Sequence, residues 1–389
     1  MQKGRVLIIS HSDPFGIGGG SFACHAYVKA FSECFDGAAD ICVPAESQYE
    51  VDESIKYNRI LRVPKRSIFS RILSFFSGRI DRYSGFVIKI IRDNHDVYST
   101  VVLNGCRESG SMVRELKYSS INVITVFHNY ERDYFRDNCR IPVFRSVMLH
   151  HIRTLEKKAY KYSDINLFLT QRDMDMYEKT YGANKNNRLT GVFEYKDITK
   201  SERQDRNVSN LTFIITGLLN NKQGEDSIVY FFNQLYRLLP SGSKVLIAGF
   251  NPTGKVTGLC KRYDNVTLVP NPSDMCEVMA QGDVYLCPAN TGSGVKLRIM
   301  DGLKAGLPVI THEYSSHGFE SLISKPYIKS FSTVQGFKDA VKDVSEGIRS
   351  GQYNTSVIWN DYYSHFSYDT GLDKVRIILK EFNKMSYLV

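Results

Sequence analysis

No stretch of the 389-residue chain approaches the ~18 consecutive apolar residues that a membrane-spanning helix needs, so no span is expected. Cysteine is present but scattered. The eight, at 24, 34, 42, 106, 139, 260, 276 and 287, form no C-x-x-C and no zinc-type spacing with histidine. A disulfide framework is therefore not expected, and free thiols fit a reducing cytoplasm. The amino end carries only the short apolar run Val6–Ile9, too short for a signal-peptide core, so the four N-x-[ST] sequons (Asn207, Asn210, Asn265, Asn354) read as chance. Internal repeats are lacking, and so are Ser-His-Asp, H-E-x-x-H and Walker patterns. An acidic excess is lacking too: 50 Lys and Arg against 41 Asp and Glu leave +9, which suits an anionic partner. With 42% hydrophobic and 23% charged residues the composition is globular, which excludes disordered and fibrous classes.

What is present is an alternation of short apolar runs with longer helical patterns. Strands are expected at Arg5–Ser10, Asp40–Pro44, Val97–Leu103, Asn122–Phe127 and Asp164–Leu169. In the second half they are expected at Leu211–Thr216, Lys244–Ala248, Val266–Val269, Asp283–Cys287 and Pro308–Thr311. The runs are apolar throughout, as in strands covered on both faces. The clearest helix is Ser227–Leu239, with Ile228, Phe231, Phe232, Leu235, Leu238 and Leu239 on one side. Alternating strand and helix implies an α/β fold with a parallel sheet. The pattern restarts after the polar stretch 196–210. This predicts two Rossmann-like domains, 1–200 and 210–365, facing a cleft, with a last helix in 366–389 crossing back to the first. Ligands are then expected at the carboxyl ends of the strands.

Two glycine loops stand at such ends. Strand one runs into Gly16-Ile-Gly18-Gly19-Gly20-Ser21 and then a helix. Three readings stay open: a dinucleotide site, a tight turn without ligand, and a loop lining a cleft where an acceptor lies. The dinucleotide reading lacks a well-placed acid, since Asp40 begins strand two and Glu46 lies beyond Pro44. The second loop is the more informative. After Cys287 comes Thr291-Gly292-Ser293-Gly294-Val295-Lys296, a helix expected from about Val295, then Gly306 and Pro308 as stop signals. A helix start is a ready anion site, and Lys296 there makes sense if a diphosphate is bound. Asp301, almost two turns in, could accept from vicinal ribose hydroxyls, or simply pair with Arg298.

The stretch Gly292–Ile310 resembles the donor-site signature of family 4 of the retaining, GT-B-fold glycosyltransferases, G-x-G-x-K…E-A-x-A-x-G-x-P-V-V. The likeness continues to Gly318-Phe319. Upstream, Phe213–Lys222 resembles the first strand and loop of that family's nucleotide domain. His128-Asn129-Tyr130-Glu131 resembles the F-H-N-x-E form of bacterial polysaccharide-assembly members, and Glu156 through Gly182 resembles the next stretch of those members. The resemblance implies transfer of a sugar from a nucleotide diphosphate donor, such as a UDP- or GDP-sugar, to a hydroxyl with retained configuration. No metal or other cofactor is implied. Gly217, Lys222, Thr291, Gly292, Ser293, Gly294, Lys296 and Asp301 would hold the donor. Gly18, Gly19, Gly20, His128, Asn129 and Glu131 would line the acceptor side, with His128, Lys296 and Asp301 catalytic. The family's Glu pair is here Ser293 and Asp301, and its arginine after the first glycine is Leu218. Lys222 has a solvated loop lysine as its plain alternative, and Glu131 a helix-start charge.

Residues 56–82 hold eight basic residues and one acid, interleaved with Ile68, Phe69, Ile72, Leu73, Phe75 and Phe76. A basic amphipathic helix here, with Arg62, Lys65, Arg66, Phe69, Arg71, Phe75 and Phe76 at the surface, suits an anionic membrane and a polyprenyl-diphosphate-linked or glycan acceptor. Solvated charges on a packed helix are the alternative. No nucleic-acid motif accompanies the charge. The expectation is thus a cytoplasmic enzyme, peripheral on the inner face of the membrane. An NAD(P)-dependent oxidoreductase using the first glycine loop and an inactive GT-B scaffold are the rivals.

Overall fold

The structure is a computed structural model that describes residues 4–10, 12–16, 18–76, 82–94, 96–139, 141–198, 210–291 and 294–386. The chain forms two compact units, Met1–Asp197 with Phe366–Val389, and Ile198–His365. Most of the expected linker, 199–209, lies outside the described residues.

The strands of the first unit are β1 (Arg5–Ser10), β2 (Ala39–Pro44), β3 (Arg59–Val63), β4 (Tyr98–Asn104), β5 (Asn122–Phe127), β6 (Ile165–Phe168) and β7 (Asn187–Leu189). Its helices are α1 (Gly19–Cys34), α2 (Ile68–Phe76), α3 (Ser84–Asp93), α4 (Cys106–Tyr118), α5 (Glu131–Asn138), α6 (Pro142–Tyr162) and α7 (Gln171–Tyr181). The strands make one parallel sheet in the order β3-β2-β1-β4-β5-β6-β7. Val6, Leu7, Ile8 and Ile9 are all fully buried, which only a sheet covered on both faces allows.

In the second unit β8 (Thr212–Leu218), β9 (Lys244–Phe250), β10 (Val266–Pro270), β11 (Val284–Cys287), β12 (Val309–His312) and β13 (Ile328–Phe331) form a parallel sheet ordered β10-β9-β8-β11-β12-β13. The helices are α8 (Lys222–Tyr230), α9 (Gly254–Cys260), α10 (Met275–Met279), α11 (Arg298–Lys304), α12 (Val334–Arg349) and α13 (Thr355–Phe366). Strand order reverses between β1 and β4 in one sheet and between β8 and β11 in the other. At such a point neighbouring crossovers diverge to opposite faces and leave a crevice at the carboxyl ends.

The last helix, α14 (Tyr368–Ser386), belongs to the first unit. Arg376 Nη2 and Tyr368 Oη reach Glu33 of α1 at 2.8 and 2.9 Å.

Three elements differ from the sequence reading. Residues 56–82 are not one basic helix: Arg59–Val63 is an edge strand beside β2, and only Ile68–Phe76 is helical. Arg59 is recruited by the fully buried Asp40, whose carboxylate accepts from Arg59 Nε at 2.8 Å, Asn58 Nδ2 at 2.6 Å and Tyr98 Oη at 2.5 Å. Pro64 then ends the strand. The helix expected at Ser227–Leu239 starts earlier, at Lys222, because Asn221 Oδ1 caps Gly224 N at 2.6 Å. It widens into a π turn over Phe231–Leu235 before tightening at Tyr236–Leu238. Finally, α11 opens at Arg298, three residues later than expected. Among the described residues no helix is long and apolar enough to cross a membrane.

Candidate functional site

The switch point of the second sheet gathers most of the described donor-site residues. Gly217 stands at the end of β8 with φ 151°, and its missing side chain matters: a Cβ there would meet the Arg298 guanidinium at 3.0 Å. Arg298, the first residue of α11, therefore lies flat against the end of β8. Sequence reasoning gave Arg298 only as a partner for Asp301. Behind it the fully buried Tyr285 of β11 gives or takes a hydrogen bond with Thr216 Oγ1 at 2.8 Å. Gly302 lets α11 settle on that ring, since a Cβ would stand 2.5 Å from Tyr285 Cγ. Burial pushes the Tyr285 phenol well above its ordinary range, so it serves as a neutral hydrogen-bonding floor.

Lys296 lies in the loop before α11, not inside the helix, and is only 4% exposed. Its Nζ donates to Gly294 O at 3.3 Å and lies 5.9 Å from the Tyr314 ring centre, within cation–π range. Gly294 has φ 75°, a left-handed turn that a side chain would strain. The loop is tied from two sides. Gln223 Nε2 of α8 donates to Thr291 O at 2.9 Å, and Ser315 Oγ, after β12, donates to Ala289 O. Thr291 itself is exposed. Asp301 is half-buried at the fourth position of α11, nearer the helix start than the sequence implied. Gly292 and Ser293 lie outside the described residues.

Lys222 is not a loop lysine: it is the first residue of α8 and pairs with Asp226 at 2.8 Å. Both side chains are roughly 40% exposed, so the pair contributes well under ~1 kcal/mol and a bound anion could compete for the lysine. Two helix starts, of α8 and α11, together with Lys296 and Arg298, thus converge on the ends of β8 and β11. Peptide N–H groups and two cations at one crevice are suited to a polyanion.

In the first unit the switch point is organised by Asn104, at the end of β4. Its Nδ2 donates to Ser10 Oγ of β1 at 3.2 Å and to Cys24 O of α1 at 3.1 Å, which turns Oδ1 toward His128 Nε2 at 2.5 Å. His128, just past β5, therefore carries its proton on Nε2 when neutral and leaves Nδ1 as an acceptor. The polar residue closing an otherwise apolar run, followed by Gly105, was the available signal for Asn104. Gly18, Gly19 and Gly20 are exposed at the start of α1, and Gly18 is its N-cap at φ 117°. A Cβ at Gly18 would meet nothing within 4 Å. Space is thus open above the loop, while Asp40 is taken up by Asn58, Arg59 and Tyr98 and is not presented to a ribose.

Asn129 and Glu131 are buried and engaged with each other: Asn129 Nδ2 donates to Glu131 Oε1 at 2.8 Å, and Arg107 Nε pairs with Oε2 at 3.0 Å. Glu131 is the first residue of α5, a helix-start charge that anchors the side chains of Asn129 and Arg107. Beneath it Glu156 of α6, fully buried, accepts from Tyr181 Oη at 2.8 Å, Tyr177 Oη at 3.0 Å and Arg132 N at 3.2 Å. Burial pushes its carboxyl up to about 7, the nearby Glu131 charge adding to the effect. On the other side of the glycine loop His25 Nε2 meets Asp52 at 2.9 Å and stacks on Tyr195 at 4.1 Å. Burial lowers the pKa of His25 against the pull of Asp52.

The surface residues of the basic stretch separate. Phe69 is 72% exposed, and Arg62 and Lys65 are exposed as expected. Arg62 is on β3, however, and Arg66 is turned inward, donating to Ser74 Oγ and Ser84 Oγ at 2.8 Å each. The side chains of Arg71, Phe75 and Phe76 lie outside the described residues.

Residues 210–345 match the family described as glycosyl transferases group 1. Among curated protein sequences none matches the chain at a significant level. Among solved structures, Alr3699/HepE of Anabaena in complex with UDP aligns with a TM-score of 0.69 at 10% identity, over 97% of this chain and 100% of that one. Sucrose-phosphate synthase of Thermosynechococcus elongatus aligns with a TM-score of 0.69 at 12% identity, over 98% and 100%. The catalytic domain of starch synthase IV of Arabidopsis thaliana, bound to ADP and acarbose, gives 0.69 at 10% identity, over 98% and 99%. The chain therefore has the two-domain GT-B fold of these proteins, and its second unit matches the glycosyl transferases group 1 family.

Proposed function

We propose that the chain is a retaining glycosyltransferase of bacterial surface-polysaccharide assembly. It would move a sugar from a UDP- or GDP-type donor to a hydroxyl of a glycan or polyprenyl-diphosphate-linked acceptor, at the cytoplasmic face of an anionic membrane. The observation that carries the reading is the convergence of Lys296, Arg298 and Gly217 at the switch point of the second sheet. Gly217 leaves room for a flat guanidinium, and the buried lysine sits in the loop beside it. Alr3699/HepE, of the same fold, has been solved with UDP and with UDP-glucose.

In this reading the diphosphate lies across Lys296, Arg298 and the start of α8, and Asp301 accepts from ribose hydroxyls. As the bond from the anomeric carbon to the diphosphate breaks, negative charge grows on the leaving oxygen. Fixed N–H groups and cations stabilise that charge without reorganising. The sugar becomes oxocarbenium-like, as at other glycosidic centres. His128, held by Asn104, contacts a hydroxyl of the sugar or acceptor, and Glu131 fixes the Asn129 side chain beside it. The exposed apolar face of α2 with Arg62 and Lys65 would rest on the membrane.

A thermal-shift panel of UDP-, GDP-, ADP- and CMP-sugars tests this. One donor class should raise the melting temperature of the wild type and fail to do so for Asp301→Ala. A flat response across the panel sinks the proposal. The product of the donor that binds should keep its anomeric configuration by NMR, and inversion would remove the retaining assignment.

A further inference from the structure

Helix α6 is longer than the sheet it covers. Its 21 residues span about 31 Å, whereas the six residues of β5 span about 20 Å. Its buried side chains, Met148, Ile152, Leu155, Glu156, Ala159 and Tyr160, recur at helical spacing and begin only at Met148. The first turn and a half therefore leaves the core, with Phe144 resting against Phe135 of α5, ring centres 6.2 Å apart. It is nevertheless apolar: Val143 is 78% exposed, Ile141 63%, Phe144 47% and Val147 43%. Of residues 141–147 all but Arg145 are exposed. Four large apolar side chains grouped on one projecting helix start are unlike the scattered apolar residues of an ordinary surface.

The charge along α6 is mostly basic, with Arg145 at the tip itself. Along α6 stand Arg145, Arg153, Lys157, Lys158 and Lys161 against the single acid Glu156, whose carboxylate is turned into the core toward Tyr177 and Tyr181. On the adjoining α5, Asp133 and Asp137 are both paired with Arg136. An apolar tip with a cationic shaft matches the layered chemistry of an anionic lipid leaflet, acyl chains beneath negative headgroups.

We propose that the start of α6, Ile141–Val147, inserts into an anionic bilayer as a membrane wedge, separate from the apolar face of α2. This extends the membrane-associated reading given above and rests on it. The wedge would fix how the first unit stands on the membrane, since two insertion points restrict tilt where one does not.

The test uses the full chain and vesicles of equal parts phosphatidylglycerol and phosphatidylcholine, with pure phosphatidylcholine as the neutral comparison. Val143→Asp with Phe144→Asp should lower partitioning onto the anionic vesicles at least about tenfold, as expected for losing two inserted side chains. The melting temperature should fall by no more than a few degrees, because Val143 is 78% exposed and Phe144, 47% exposed, gives up one ring contact, with Phe135 of α5. Phe144→Trp should add a blue-shifted emission on anionic vesicles over the background of the one native tryptophan, Trp359. Unchanged partitioning of the double variant, or no shift at position 144, overturns the wedge. If Phe69→Asp with Ile72→Asp on α2 still weakens binding, only the wedge falls. If neither pair has an effect, the membrane reading falls with it. A double variant that converts a dimer to a monomer without changing vesicle binding would reassign the patch to self-association and also overturn the proposal.

Discussion

At Gly217 backbone strain and the proposed donor site meet in one residue. At its φ of 151° a side chain is strained, and a methyl group would stand 3.0 Å from the Arg298 guanidinium and push it aside. Gly217→Ala should cost about 1–3 kcal/mol in denaturant melts and weaken nucleotide binding in the same variant by displacing Arg298. Glu156 gives a pH-dependent expectation. Its carboxyl is raised from 4.5 to about 7 by burial, so between these values the folded chain keeps a proton that the unfolded chain has released. Stability should therefore fall as pH rises through that window, by about 3 kcal/mol in all. Glu156→Gln should remove that slope, and denaturant melts at pH 5 and pH 7.5 check it. At this scale the sequence was informative where a residue type is unusual for its place. Lys296 and His128 stood at strand ends in recognisable loops. Arg298, Asn104 and Glu156 were not singled out for these roles, because each acts through a partner far along the chain, and separation in sequence says nothing about which strands become neighbours.

Among the elements, the strands buried on both faces were legible within a residue or two, because an unbroken apolar run has few other uses. Of the four edge strands, β10 was legible through its run Val266–Val269, and β3, β7 and β13 were not. Each has a partner on one side only, and their mixed composition resembles a loop or an amphipathic helix. For β3 the deciding contact is the buried carboxylate of Asp40, which holds Arg59 and Tyr98. Asp40→Ala would leave those donors unmatched next to the core. Because Arg59 is itself 45% exposed, the charge left behind is solvated, so the change should destabilise the chain by about 1–3 kcal/mol, the range for leaving a buried hydrogen-bonding group unmatched, and should loosen β3 first in amide hydrogen exchange. A loss below ~1 kcal/mol would show that the strand is held by its ladder alone. The late start of α11 has a similar origin: Gly294 turns left-handed and Lys296 is buried before the helix begins, so composition placed the helix but not its first turn.

At the scale of the whole molecule, both sheets reverse their strand order once, the first beside the glycine loop after β1 and the second beside Gly217 and the loop carrying Lys296. The two-domain plan could be read from the restart of the strand–helix alternation. The strand order could not, and it is the order that brings the end of β8 next to the end of β11. The central claim is that a diphosphate rests there. Isothermal titration of the full chain with the best-binding nucleoside diphosphate, and with its monophosphate and nucleoside, tests that claim most directly. Lys296→Ala should weaken the diphosphate by about 10- to 100-fold, as expected for a lost charged hydrogen bond, while leaving the bare nucleoside nearly unaffected. Equal affinity of wild type and variant for the diphosphate would contradict the account.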